Sequence, residues 1–178
     1  MEFYNWLSLH ESNLQGLYSN TVRAFPRTTK RQYAIDEIKI IDMSWLPYKG
    51  VRTLFVKGLA KNEENGKEYK PIILFKNVRY KDSNDRNNLA EIDATDGRKY
   101  FFEKLSDQND VVLRCNCNDF HWRWNYTDKL DKSLYGSVRK KYEAKERPGS
   151  SNPLELPGMC KHLIKLAKSL NDANILEG

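Results

Sequence analysis

Cysteine and histidine are both scarce, three of each in 178 residues. An odd cysteine count excludes a fully paired disulfide framework, and an iron–sulfur cluster normally takes four thiolates. No apolar run approaches the ~20 residues that cross a bilayer. The N-terminal MEFYNWLSLHESNLQ interrupts its apolar positions with Glu2, His10 and Glu11, so neither a signal peptide nor a membrane helix is expected there. A reducing compartment follows, in which Asn125-Tyr126-Thr127 is an idle glycosylation match. The chain has no G-x-S-x-G, Walker, dinucleotide-glycine or H-E-x-x-H motif, and lacks the H-x-E and P-C-x-x-C of zinc deaminases. On those grounds no enzyme is expected. Internal repeats and low-complexity tracts are missing as well. A mean hydropathy of −0.77 describes a polar chain with a modest core, and at this length about 70% of the unfolded surface can be buried.

What the chain does have is a pattern that uses every cysteine. Cys115 and Cys117 form C-x-C at the end of the apolar run DVVLRCNC, and Cys160 and His162 form C-x-H at the start of a helix-like run. On an extended strand, side chains two apart share a face, so the first pair can point at one ion. In a helix the same spacing separates them by about 200°, which puts Cys160 and His162 at a helix entrance and not in its interior. Pro157 and Gly158 supply the turn before it, and Leu163, Ile164, Leu166, Ala167 and Leu170 recur at helical intervals after it. A thiol at a helix N-terminus beside a metal is held as thiolate, the form that ligates. Three sulfurs and one imidazole complete a tetrahedral shell, so structural zinc on Cys115, Cys117, Cys160 and His162 is the expected chemistry. His121 competes with His162 as the fourth ligand, because on a continuing strand it shares the face of Cys115 and Cys117. The plainer alternatives are small buried cysteines or one disulfide with a spare thiol. His10 has no cysteine neighbour and is expected to be a surface or internally satisfied residue.

RCNC followed by MCKHLIKLAKSL resembles a SWIM-type zinc finger: C-x-C, a variable insert, then C-x-H. The likeness covers roughly residues 111–170. Its insert, residues 118–159, is long for that motif. A resemblance of this kind implies a zinc-held module associated with DNA or protein binding. Wider phrases, RQYAIDEIKII, RTLFVKGLAKN, CNCNDFHWRWNY and NPLELPGMCKHLIKLAKSL, resemble an uncharacterised family of structural proteins encoded by tailed bacteriophages. That second resemblance implies a virion component of the head, neck or tail, made in the host cytoplasm. Its partners would be other virion proteins or copies of this chain, with DNA as a second candidate and no membrane.

Charge adds a smaller signal. Thirty basic residues against 24 acidic give +6, a slight excess that suits an anionic partner. Arg23, Arg27, Lys30 and Arg31 lie close together with no acid among them, interleaved with Phe25 and Tyr33. Such an arm can neutralise phosphates while its aromatics stack, or serve as a solvated connector. A second basic stretch, Arg139, Lys140, Lys141, Lys145 and Arg147, is diluted by Glu143 and Glu146 and is expected to be hydrated surface. In NDFHWRWNY, an extended backbone puts Phe120, Trp122, Trp124 and Tyr126 on one face, whereas a helix capped by Asp119 makes the tryptophans diverge. Trp122, Trp124 and Tyr126 are candidate partner contacts, and core packing beneath the metal is the competing reading.

The fold class expected is α+β. Residues 1–32 form an N-terminal arm with an irregular helix broken near Gly16. Residues 33–109 form a β-rich region, and residues 110–178 a zinc-clasped strand and helix carrying the long insert. Ile38 and Ile40, then Ile41, Met43 and Trp45, give two short alternating sets. Arg52 to Leu59 and Tyr69 to Val78 flank an Asn65-Gly66 turn, and Leu89 to Ala94 and Lys99 to Leu105 bracket Asp96-Gly97. Pro71 belongs at the start or edge of its strand.

Overall fold

The computed structural model describes residues 12–25, 34–106, 108–136, 152 and 154–177. The β region opens on an alternation that changes phase, and the backbone shows why. The two short sets are one strand, β1 (Ile38–Tyr48), paired antiparallel with β2 (Thr53–Asn62). Ile40 lies opposite Ala60 and Asp42 opposite Leu59, so Ile41 is left without a partner in the ladder. This β-bulge passes the inward face from even to odd positions. Ile38 is therefore buried, Ile40, Met43 and Trp45 pack on the core, and Ile41 is exposed.

The expected Asn65-Gly66 turn returns the chain to β3 (Glu68–Tyr69) and β4 (Ile72–Phe75), both antiparallel to β2. Gly66 and Gly97 carry positive φ at the tips of the two expected hairpins. Pro71 sits just ahead of β4, where no ladder donor is required, and its carbonyl accepts the Gly58 N–H at 2.9 Å. The strand β8 (Val111–Arg114) completes a five-stranded sheet in the order β1-β2-β4-β8, with β3 beside β2. Between β4 and β8 the chain builds a second antiparallel sheet from β5 (Tyr80–Lys81), β6 (Ala90–Asp93) and β7 (Lys99–Phe102), ordered β5-β7-β6. The hairpin at Asp96-Gly97 was expected; β5 was not, since two residues are too short to show a period. The sheets are tied where Thr95 N donates to the Trp45 carbonyl (3.1 Å) and the Tyr80 hydroxyl donates to that of Thr53.

Helix α1 (Leu14–Ala24) runs unbroken through Gly16, which corrects the expected break. Asn13 caps it, its side-chain oxygen accepting the Gly16 N–H at 2.7 Å, so the glycine lies in the stabilised first turn. Leu14, Leu17 and Thr21 recur at i, i+3 and i+7 and are buried. Residues 12–25 of the expected arm are thus packed on the body, and Val111 N donates to the Ser12 carbonyl at the start of β8.

Beyond β8 a π-helical turn (Phe120–Trp124) leads into helix α2 (Asn125–Leu130). Helix α3 (Lys161–Asp172) lies against β1 and β2. It buries Leu163, Ile164, Leu166 and Leu170, each contributing roughly 1.5–3 kcal/mol relative to exposure. One hydrophobic core draws on Leu14 and Leu17, the inward faces of both sheets, Trp124 and α3, so it spans all three expected segments. The architecture is α+β around a central antiparallel meander, as expected. No helix among the described residues is long and apolar enough to cross a membrane.

Candidate metal centre

Strand β8 stops at Arg114, so Cys115 is the first residue past the strand and Cys117 begins the bend into the π-helical turn. The expectation that one strand carries both is corrected: the strand delivers the first thiol and the bend the second. Cys160 is the N-cap of α3 with extended backbone (φ −77, ψ 168), and His162 is the second helical residue. This change of backbone at the cap is what lets a C-x-H pair face one point. The ligand atoms of Cys115, Cys117, Cys160 and His162 all lie within 4.8 Å of one another, and all four residues are buried. His121 is outside this set and exposed, packed edge-on against Trp122, so the competing fourth ligand is set aside.

Those distances suit a single ion. A tetrahedral metal with sulfur near 2.3 Å and nitrogen near 2.0–2.1 Å holds its donors about 3.5–3.8 Å apart, so a contraction of roughly 1 Å closes the set. His162 Nδ1 is 4.0 Å from Cys160 Sγ, while its Nε2 is buried with no hydrogen-bond partner among the described residues. The imidazole thus presents Nδ1 toward a sulfur of the set with no carboxylate or amide among the described residues competing for it there, an arrangement a metal would satisfy.

Electrostatics point the same way. Hydrogen bonds from Cys115 and Cys160 hold the Cys117 thiol far below the ordinary range. Burial pushes Cys115 and Cys160 up, and their hydrogen bonds to Cys117 push in the same direction. Without a cation, the cost of burial limits how much negative charge the three sulfurs can carry. A divalent cation removes that limit and permits three thiolates.

Neighbouring groups fix the donors. The Phe120 N–H donates to Cys117 Sγ at 3.3 Å. Asn116, between the two cysteines, accepts the Lys70 N–H through its side-chain oxygen at 2.8 Å. Tyr69 of β3 stacks on the His162 ring, centroids 4.3 Å apart and planes tilted 34°. Phe120 belongs to the aromatic segment read from the sequence, for which packing beneath the metal was one reading; Asn116 and Tyr69 were not singled out for the site. The C-x-C spacing hints at a special Asn116, but Tyr69 reaches the site through strand pairing alone.

The aromatic segment follows the helical alternative. Trp124 is fully buried, whereas Trp122 and Tyr126 are 48% and 52% exposed. Trp124 meets the Phe25 ring edge-on at 5.5 Å, so it is core and is withdrawn as a partner contact. Asp119 does not cap the segment; its carboxylate pairs with Arg123 Nε at 3.0 Å, one turn on. Of the basic arm, Arg23 is exposed in the last turn of α1, while Arg27, Lys30 and Arg31 lie outside the described residues. His10, Tyr33 and the basic stretch from Arg139 to Arg147 also lie outside them.

No protein-family model, no curated protein and no solved structure matches the chain. The SWIM-type and bacteriophage resemblances rest on the quoted residues alone.

Proposed function

We propose that the chain is a non-enzymatic, zinc-stapled interaction protein and a component of a tailed-bacteriophage virion. The observation that carries the metal part is the buried set Cys115, Cys117, Cys160 and His162 with its donors within 4.8 Å. Four protein donors fill a tetrahedral shell, which leaves no position for the water that catalytic zinc activates. Sulfur-rich donor sets with one imidazole favour zinc over magnesium or calcium, which prefer oxygen. When bound, the ion joins the end of β8 to the entrance of α3 across 42 intervening residues. Structural zinc supplies about 10–16 kcal/mol of apparent binding energy in small zinc peptides. That rivals the roughly 5–15 kcal/mol net stability of a domain.

The virion part rests on the phrase resemblance, with the exposed Trp122 and Tyr126 beside the clasp as supporting features. It is tested by quantitative mass spectrometry of purified particles of a phage that encodes this chain. A fixed copy number per particle is expected; a chain made in infected cells and missing from the particles would contradict the role.

A nucleic-acid-binding module is the second reading, favoured by the acid-free run of Arg23, Arg27, Lys30 and Arg31 and the net charge of +6. It predicts duplex or single-strand affinity that falls steeply with salt and is lost when those four side chains are neutralised. Affinity that ignores salt or survives the neutralised variant would exclude it.

A further inference from the structure

The two residues just ahead of Cys160 are held by side chains from distant parts of the chain. Gly158 N donates to Asp128 Oδ1 at 2.8 Å, and Met159 N donates to Thr21 Oγ1 at 3.0 Å. Thr21 lies 138 residues from Met159 on α1, and its own hydroxyl donates to the Leu17 carbonyl at 2.8 Å, which orients the oxygen to accept. Asp128 lies on α2, the helix that follows the C-x-C bend, and is fully buried. Gly158 is pressed from the side: a Cβ there would stand 2.6 Å from both Thr21 Oγ1 and Trp124 Cζ3. No substituent fits between them. Asn152 closes the approach, its amide donating to the Arg123 and Leu156 carbonyls at 3.1 and 2.9 Å.

Neither strand nor helix supplies acceptors for these two buried N–H groups, and an unmet donor here would cost about 1–3 kcal/mol. The side chains that meet them also fix where the backbone enters the N-cap of α3. They therefore decide whether Cys160 and His162 face Cys115 and Cys117. We infer that Thr21 and Asp128 are positioning residues of the metal centre, and that α1 and α2 are parts of the clasp rather than attachments to it. This inference rests on the metal reading of Cys115, Cys117, Cys160 and His162. It has a linkage consequence: whatever seats α1 against Met159 tightens the metal, and the metal in turn seats α1 by the same factor. Burial pushes the Asp128 carboxyl well above its usual range. A neutral amide oxygen is therefore a fair replacement for the acceptor that Gly158 uses.

Cobalt(II) added to the full-length chain provides the test, because its d–d bands report coordination geometry directly. Wild type is expected to show an intense tetrahedral, sulfur-rich spectrum. Thr21→Val, nearly isosteric but without an acceptor, and Asp128→Ala are expected to weaken cobalt affinity about tenfold and to shift or dim the bands. Thr21→Ser and Asp128→Asn, which keep an acceptor, should retain both. A remote cavity variant, Ile92→Val in the second sheet, provides the control: loss of general stability without repositioning should leave its bands unchanged. Wild-type affinity and bands in Thr21→Val overturn the positioning role while leaving the metal centre standing. If Thr21→Val does not fold, Asp128→Ala decides, and folded protein with wild-type affinity and bands overturns the role of the acceptor. No cobalt spectrum in wild type at all would sink the metal reading and this inference with it.

Discussion

Each of the four donors is held by a different local device, so the consequences of substitution differ. Cys160→Ala removes the sulfur donor at the N-cap of α3. It is expected to abolish stoichiometric zinc and, with on the order of 10 kcal/mol at stake, to unfold the C-terminal unit. Far-UV circular dichroism and melting check this, and retained helix content with an unchanged transition would contradict it. Asp128 is expected to behave in the opposite sense. Its folded carboxyl binds a proton more tightly than the unfolded one, first because it is buried. The folded state therefore carries more protons over the window that opens near the ordinary carboxylate value of about 4 and extends up to the raised native one, and stability falls as pH rises through it. Asp128→Asn removes that slope, so its stability advantage over wild type should grow with pH. Paired melting curves at pH 5 and pH 8 measure it, and an advantage that shrinks with pH would contradict the assignment.

Among the elements, the two tryptophans of the aromatic segment separate core from surface. Trp124 fills the space between Phe25 and Gly158, so Trp124→Ala is expected to cost about 3–5 kcal/mol. Trp122 is half exposed, and Trp122→Ala should stay within about 0.5 kcal/mol. Urea unfolding of both variants checks the pair, and equal losses would mean that the segment packs differently. How far the elements were legible depends on the range of the interaction that fixes them. The hairpins at Asn65-Gly66 and Asp96-Gly97, the strand into Cys115 and the helix after Cys160 follow from turn chemistry and local periodicity. The change of phase at Ile41 was visible in the sequence; only the ladder to β2 reveals it as a bulge within one strand. Helix α1 was misread at Gly16 because its stability comes from the Asn13 cap and a buried face, neither of which a glycine penalty registers. Thr21 and Asp128 carry no local signal at all: their partners lie 138 and 30 residues away.

Taken together, α1, the main sheet, the π-helical turn and α3 meet around one core, and the four candidate metal donors lie at that junction. If a single ion clamps 115–117 to 160–162, metal removal should loosen α1 and α3 together. Hydrogen exchange in the presence of a strong chelator is expected to show their amides losing protection as one cooperative unit, while β6 and β7 of the second sheet change less. Loss confined to α3 would separate α1 from the clasp. The clamp itself is tested most directly by zinc K-edge X-ray absorption on the purified full-length chain. The proposed clasp predicts one zinc per chain with three sulfurs near 2.3 Å and one nitrogen near 2.0–2.1 Å. A chain that carries no zinc, or a zinc surrounded only by oxygen and nitrogen, would contradict the account.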